Sequence, residues 1–204
     1  MIAFLLILIP LATGLLSFLI REEKTAKAFA FLASLATLAV SLLGLTLMNS
    51  ESNLQFSAPW MSSLGSSFAL KIDGMGQVLC LLTAIAYPLT FLGTWQASPK
   101  NANRFFGLML LAQAGMMGVF LANDALLFYF CWELALIPMY FLASQWGGEK
   151  RIAVTFKFFV YTFLGSLLML IGILYLQSQT PDHSFGLSAF YKLKIPASEQ
   201  LWLF

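Results

Sequence analysis

Three observations predict an all-α, polytopic transmembrane helical bundle. Hydrophobic residues make up 60% of the 204-residue chain and charged residues only 10%, against about 25% in a soluble domain. The apolar residues fall in continuous runs of about 20, the length of helix that crosses a hydrocarbon core about 30 Å thick. The polar residues collect in the short segments between those runs. Six complete helices and the start of a seventh are expected.

The first helix covers residues 1–20. It is uncharged from Met1 onward and lacks the basic n-region and small-residue exit of a cleavable signal. The second covers about 28–48, after the basic connection REEKTAK. A longer, polar, Ser-rich connection runs from Asn49 to Asp73. The third helix covers about 75–95, and Asp73 in KIDGMG reads as its N-terminal cap. The fourth covers about 105–122 and the fifth about 125–145, with only Asn123–Asp124 between them. GGEKR leads into the sixth, about 152–176. Gln177–Gln200, with Pro181 and Pro196, leads to a seventh that begins at Leu201. Residues 1–204 read as one membrane domain, and a chain that ends as a helix enters the membrane reads as a fragment or one piece of a longer product.

The few charges matter by position. The first–second, third–fourth and fifth–sixth connections hold seven basic residues: Arg21, Lys24, Lys27, Lys100, Arg104, Lys150 and Arg151. The opposite side holds three, Lys71, Lys192 and Lys194. The positive-inside rule therefore places the N-terminus outside a bacterial plasma membrane, or on the equivalent side of an organellar inner membrane. A net charge of +2 gives no reason to expect a nucleic-acid partner. Cys80 and Cys131 lie in apolar runs and read as small buried side chains. The one histidine, His183, lies in a polar stretch and makes no metal site. No nucleotide loop, cysteine cluster or histidine pair is present, so no redox centre, cofactor or metal is expected in this chain.

The fifth run, ALLFYFCWELALIPMYFLASQ, holds a single carboxylate, Glu133. Glu133 lies roughly 12 Å from one end of the run and 18 Å from the other at the rise of an α-helix. An acid at that depth costs about 3 kcal/mol unless it is neutral, paired or wetted, and marks a functional site by default. Pro138, five residues on, has no N–H, so the carbonyl of Leu134 loses its helical donor and a kink is expected. A carboxylate beside a freed carbonyl makes a station for a proton and a water. The other reading is a structural acid hydrogen-bonded to a neighbouring helix. Lys157 lies about 8 Å into the sixth helix, where a lysine can snorkel to the interface. A direct Glu133–Lys157 salt bridge is not expected, because their depths differ by about 10 Å. Gln113 on the fourth helix, near Gly115 and Gly118, is a candidate path-lining residue. So are Thr155, Tyr161, Thr162 and Ser166 on the sixth, and Thr83, Tyr87 and Pro88 on the third. Most of these small and hydroxyl side chains also serve ordinary membrane-helix packing.

The stretch from Leu121 to Leu176 resembles the antiporter-like membrane subunits of respiratory complex I. The residues that carry the likeness are WELALIPMY (Trp132–Tyr140) and KFFVYT (Lys157–Thr162). KIDGMG (Lys71–Gly76) and FGLSAFYKLKIPASEQLWLF also fit. Within that family the chain is most similar to chain M of NADH:quinone oxidoreductase, subunit 4 in mitochondria. The resemblance implies a proton-translocating subunit that couples electron transfer in other subunits to proton pumping. It implies membership of an oxidoreductase complex whose other subunits use NADH, flavin, iron–sulfur clusters and quinone. Its partners would be the other membrane subunits and the lipid bilayer. The acid matching Glu133 is a key charged residue of the family's proton path and works with a lysine on the seventh helix. Lys157 matches a basic residue common at that point of the sixth. The same core occurs in multisubunit Na⁺/H⁺ antiporters and membrane-bound hydrogenases, the alternative reading.

Overall fold

A computed structural model describes residues 1–46 and 54–203. The end of the expected second helix, the first part of the Ser-rich connection and Phe204 lie outside the described residues. Among the described residues six long helices form an up-and-down bundle: α1 (Ile2–Ser17), α2 (Glu23–Thr46), α3 (Gly74–Gly93), α4 (Ala102–Leu121), α5 (Ala125–Trp146) and α6 (Arg151–Gln179). Two short helices follow, α7 (Leu187–Phe190) and α8 (Ala197–Leu203). The protein is an all-α membrane bundle, and α2 to α6 are each long and apolar enough to cross a membrane. The 16-residue α1 is about 24 Å long, short of a full hydrocarbon core.

Local chemistry moves several boundaries from those expected. α2 starts at Glu23, inside the basic connection, because Glu23 and Lys27 pair at 2.7 Å one turn apart and an i,i+4 pair supports a helical turn. Asp73 caps α3 by accepting the Gly76 N–H at 2.6 Å. α6 runs 29 residues, about 44 Å, so it extends beyond a bilayer core. α8 begins four residues before the expected Leu201. The Tyr175 hydroxyl of α6 donates to Glu199 of α8 and ties the two together.

Glycines set the closest helix approaches. A Cβ on Gly107 would lie 3.0 Å from the Gly14 carbonyl oxygen, which is how near α1 and α4 run. A Cβ on Gly115 would collide with the Ala135 backbone nitrogen, and one on Gly118 would collide with Cys131 Sγ. Small residues at such crossings let membrane helices pack by dispersion where no hydrophobic drive exists.

The Ser-rich connection holds a β-hairpin rather than a plain loop. β1 (Gln55–Pro59) pairs antiparallel with β2 (Ser67–Lys71), with Phe56 opposite Leu70 and Ala58 opposite Phe68. Alternation puts Phe56, Phe68 and Leu70 in contact with the bundle. Phe4 of α1 stacks on Phe56 at 4.8 Å, and Trp60 meets Phe130 of α5 at 5.0 Å. The hairpin closes the end of the bundle where α5 begins. The seven basic connection residues lie at the other end, where the Trp146 indole N–H donates to the Lys100 carbonyl across two connections.

Candidate functional site

The seam between α5 and α6 is set by three contacts on one antiparallel register. Tyr129 of α5 and Met169 and Leu170 of α6 pack against one buried cluster that includes Ala125 and Ile173, Glu133 meets Ser166, and Tyr140 meets Phe159 at 4.9 Å between ring centres. Residues 129, 133 and 140 recur at helical spacing, so one face of α5 presents them all to α6. Glu133 is half-buried and stands eight residues into the 22-residue α5. That depth, about 12 Å from the helix start, is far from either aqueous end.

The buried Ser166 hydroxyl donates to Glu133 Oε1 at 2.6 Å and has the Phe163 carbonyl oxygen as a second acceptor at 2.9 Å. The Tyr129 phenol, one turn before Glu133, lies beside both of them. Among the described residues no lysine or arginine nitrogen comes within 4.0 Å of Glu133. The carboxyl is therefore held by neutral hydroxyl groups.

Of the other sequence candidates, Ser166 meets the acid, whereas Lys157, Pro138 and Gln113 are not gathered around it. Glu133 opposite Ser166 and Tyr140 opposite Phe159 place Lys157 opposite Leu142. That is nine residues, or about 14 Å, along α5 from Glu133. Lys157 is exposed, as a lysine near the basic end of a span can be. Pro138 is buried and follows Ala135 by three residues, so it lies on the α4 side of α5 while Glu133 faces α6. The helix runs unbroken from Ala125 through Pro138 to Trp146. Leu134, half-buried, sits between those two faces.

Gln113 lies on another face of α4. It lies two residues before Gly115, about 200° around α4 from the face that meets α5. Its stripe continues Phe106 and Leu110, which share one apolar cluster with Ala30 and Ala33 of α2 and Phe91 of α3. Gln113 is therefore turned toward α2 and α3, away from the face that meets α5. It is fully buried, and neither amide atom has a protein hydrogen-bond partner.

Asp124 is the residue that sequence reasoning passed over. It is buried, and its carboxylate accepts four hydrogen bonds: Ser66 Oγ–H at 2.9 Å, Ser67 N–H at 3.0 Å, and the Leu126 and Leu127 N–H groups at 3.0 and 3.1 Å. It caps α5 and fastens the hairpin to it. Backbone bonds knit the segment after α6 to the same place, with Ala125 N–H donating to Phe185 and Phe185 N–H donating to Gly65. Gly65 has φ +81° and its Cβ position is filled by the His183 carbonyl oxygen, so only glycine fits. The sequence signal for Asp124 was its place one residue before an apolar helix, which is the N-cap position.

Residues 122–204 match the family described as NADH:quinone oxidoreductase/Mrp antiporter, TM. That stretch belongs to this family. It contains Glu133, Ser166 and Asp124. The chain is 42% identical over 175 residues to F(420)H(2) dehydrogenase subunit M of Methanosarcina mazei, covering 84% of this chain and 35% of that protein. It is 36% identical over 163 residues to NADH-quinone oxidoreductase subunit M of Rhodobacter capsulatus, covering 78% of this chain and 32% of that protein. Its fold matches a chain of respiratory complex I from Thermus thermophilus with bound NADH. That match has a TM-score of 0.83 and 28% identity, and covers 100% of this chain and 41% of the other. The chain thus spans about a third of the length of these curated relatives.

Proposed function

We propose that this chain is part of a proton-translocating membrane subunit of a complex I type NADH:quinone oxidoreductase. Electron transfer occurs in other subunits, which carry NADH, flavin, iron–sulfur clusters and quinone. This chain, a single membrane domain of a longer antiporter-like subunit, binds none of them and contributes proton movement. One observation carries the reading: a lone carboxyl at mid-helix depth, Glu133, held by a neutral hydroxyl with no fixed counter-charge among the described residues. A permanent ion pair would lock the carboxylate in one state. A carboxyl supported only by hydroxyl groups can gain or lose its proton when a nearby cation moves, because burial and a neighbouring charge act on it in opposite directions. The family resemblance assigns that cation to the family's seventh membrane helix, which matches the segment that begins with α8, and α8 (Ala197–Leu203) contains no lysine. The named relatives, subunits M of an F(420)H(2) dehydrogenase and of an NADH-quinone oxidoreductase, support a redox-coupled assembly whose electron donor is chosen by other subunits.

The same reading puts the protein in a bacterial plasma membrane with its N-terminus outside. Seven basic residues at one end of the bundle against three at the other support it. Lys157 stays at the cytoplasmic entrance in this scheme and accompanies the path without pairing to Glu133.

The test is Glu133→Gln in the full-length subunit within its assembled complex, with proton uptake followed in vesicles by a pH-sensitive dye. Pumping should fall about a hundredfold or more, the scale of losing one essential proton-transfer group. Pumping at the unmodified rate defeats the proposal. The Mrp antiporter in the family description keeps a second reading open, a subunit of a Na⁺/H⁺ antiporter without redox partners. Purification decides between them: a complex I subunit co-purifies with flavin and iron–sulfur protein, and an antiporter subunit does not.

A further inference from the structure

Ser166 has one hydroxyl proton and two acceptors in range, Glu133 Oε1 at 2.6 Å and its own helix's Phe163 carbonyl at 2.9 Å. It cannot donate fully to both at once. The choice between them depends on the state of Glu133. An ionised carboxylate only accepts, so Ser166 donates to it, and that charge-assisted bond is the stronger of the two. A protonated carboxyl carries its own O–H. It then donates to Ser166 Oγ, which has free lone pairs, while the Ser166 O–H turns to Phe163. Both arrangements leave the serine hydroxyl and the carboxyl partnered.

We propose that Ser166 is a two-position hydroxyl that keeps Glu133 satisfied in both of its protonation states, and so lets the carboxyl load and unload a proton without unfolding its surroundings. One proton arriving from water in the path binds Glu133, the Ser166 O–H rotates from Oε1 to the Phe163 carbonyl, and no O–H bond of serine breaks. Release runs the same steps backward. Two further observations favour this role over a packing role. Ser166 is buried directly across the seam from the only carboxylate in α5. The Tyr129 phenol borders the same pair, which leaves a second hydroxyl to pass the proton along α5 toward the hairpin end. Without a rotating hydroxyl, one of the two states would strand a buried donor or acceptor, and that state would be disfavoured. Ser166 is a positioning residue in this scheme, acting through Glu133.

The inference rests on the proposed role of Glu133, and the experiment separates the two. Glu133→Gln, Ser166→Ala and Ser166→Thr are made in the full-length subunit of the assembled complex. Each is measured for proton pumping and for the infrared carbonyl stretch of the protonated carboxyl. The band lost in Glu133→Gln is assigned to Glu133. Ser166→Ala should move that band to higher frequency and slow pumping by roughly tenfold, the worth of one hydrogen bond to a charged group. Ser166→Thr should restore both, since it keeps the hydroxyl. An unmoved band in Ser166→Ala overturns the inference, whatever the pumping rate, because slow pumping alone would be a packing effect. If Ser166→Ala does not assemble, Ser166→Cys takes its place: a shifted band supports the inference and an unmoved one overturns it. If Glu133→Gln pumps normally, it is the proposed function that falls, and the inference falls with it.

Discussion

Asp124 shows how much one side chain can organise at the mouth of a membrane helix. Its two carboxylate oxygens take four donors from two separate parts of the chain. Two of these are orphan N–H groups of the first turn of α5, which every helix start must satisfy somehow. The other two come from Ser66, just before β2, and Ser67, its first residue. Asp124→Ala would strand all four donors near a buried position and cost about 3 kcal/mol. The expected result is a hairpin that detaches from α5 while the long helices persist. Limited proteolysis between residues 55 and 71 should become faster in the variant, with helical circular dichroism unchanged. Equal cleavage rates would show that Asp124 does not hold the hairpin. The sequence did not reveal this, because an acid in a two-residue turn usually faces water. Its burial depends on a hairpin far upstream in the chain. Glu133 was legible for the opposite reason: its cost is local, set by the apolar residues on both sides of it.

Among elements, the long helices could be read directly, since uninterrupted apolar runs of this length have few other solutions. The hairpin could not. β1 and β2 are five residues each, and their alternating pattern is short and diluted by serines. Their stability comes from Phe4 and Phe130 of distant helices, contacts that no local pattern encodes. The α4–α5 crossing is similar. Gly115 and Gly118 were visible as small residues, but only the structure shows that they meet Ala135 and Cys131 of the helix that carries Glu133. Gly115→Ala would drive a methyl into the Ala135 backbone and push α5 outward. Gly165 on α6 has nothing within 4 Å of its Cβ position, so Gly165→Ala should be neutral or slightly stabilising, as expected in an exposed helix interior. The paired variants should separate clearly in the thermal inactivation midpoint of the detergent-solubilised complex: a fall of several degrees for Gly115→Ala, no fall for Gly165→Ala. Equal midpoints would mean that the crossing can spread without cost.

For the whole molecule, the two ends differ in kind. One end is closed by the hairpin, the Asp124 clamp and the segment around Phe185, all joined by backbone hydrogen bonds. The other end carries the three short basic connections and is joined by the Trp146–Lys100 bond. Glu133 lies nearer the closed end, about 12 Å from the start of α5 and about 20 Å from its finish. In the proposed scheme a proton reaching it from the basic end has the longer journey, past Tyr140 and the level of Lys157, and leaves by the shorter one past Tyr129. This asymmetry gives direction only if the basic end faces the cytoplasm, as the excess of arginine and lysine there predicts. Exposed positions at each end allow the orientation to be measured. Ala97 lies in the α3–α4 connection at the basic end and Ser62 lies between the hairpin strands. In the full-length subunit, with Cys80 and Cys131 replaced, a cysteine at 62 should react with a membrane-impermeant maleimide added to intact cells. A cysteine at 97 should react only after the membrane is opened. The reverse pattern would put the hairpin inside and make the short exit past Tyr129 the entrance, inverting the direction of transport proposed for Glu133.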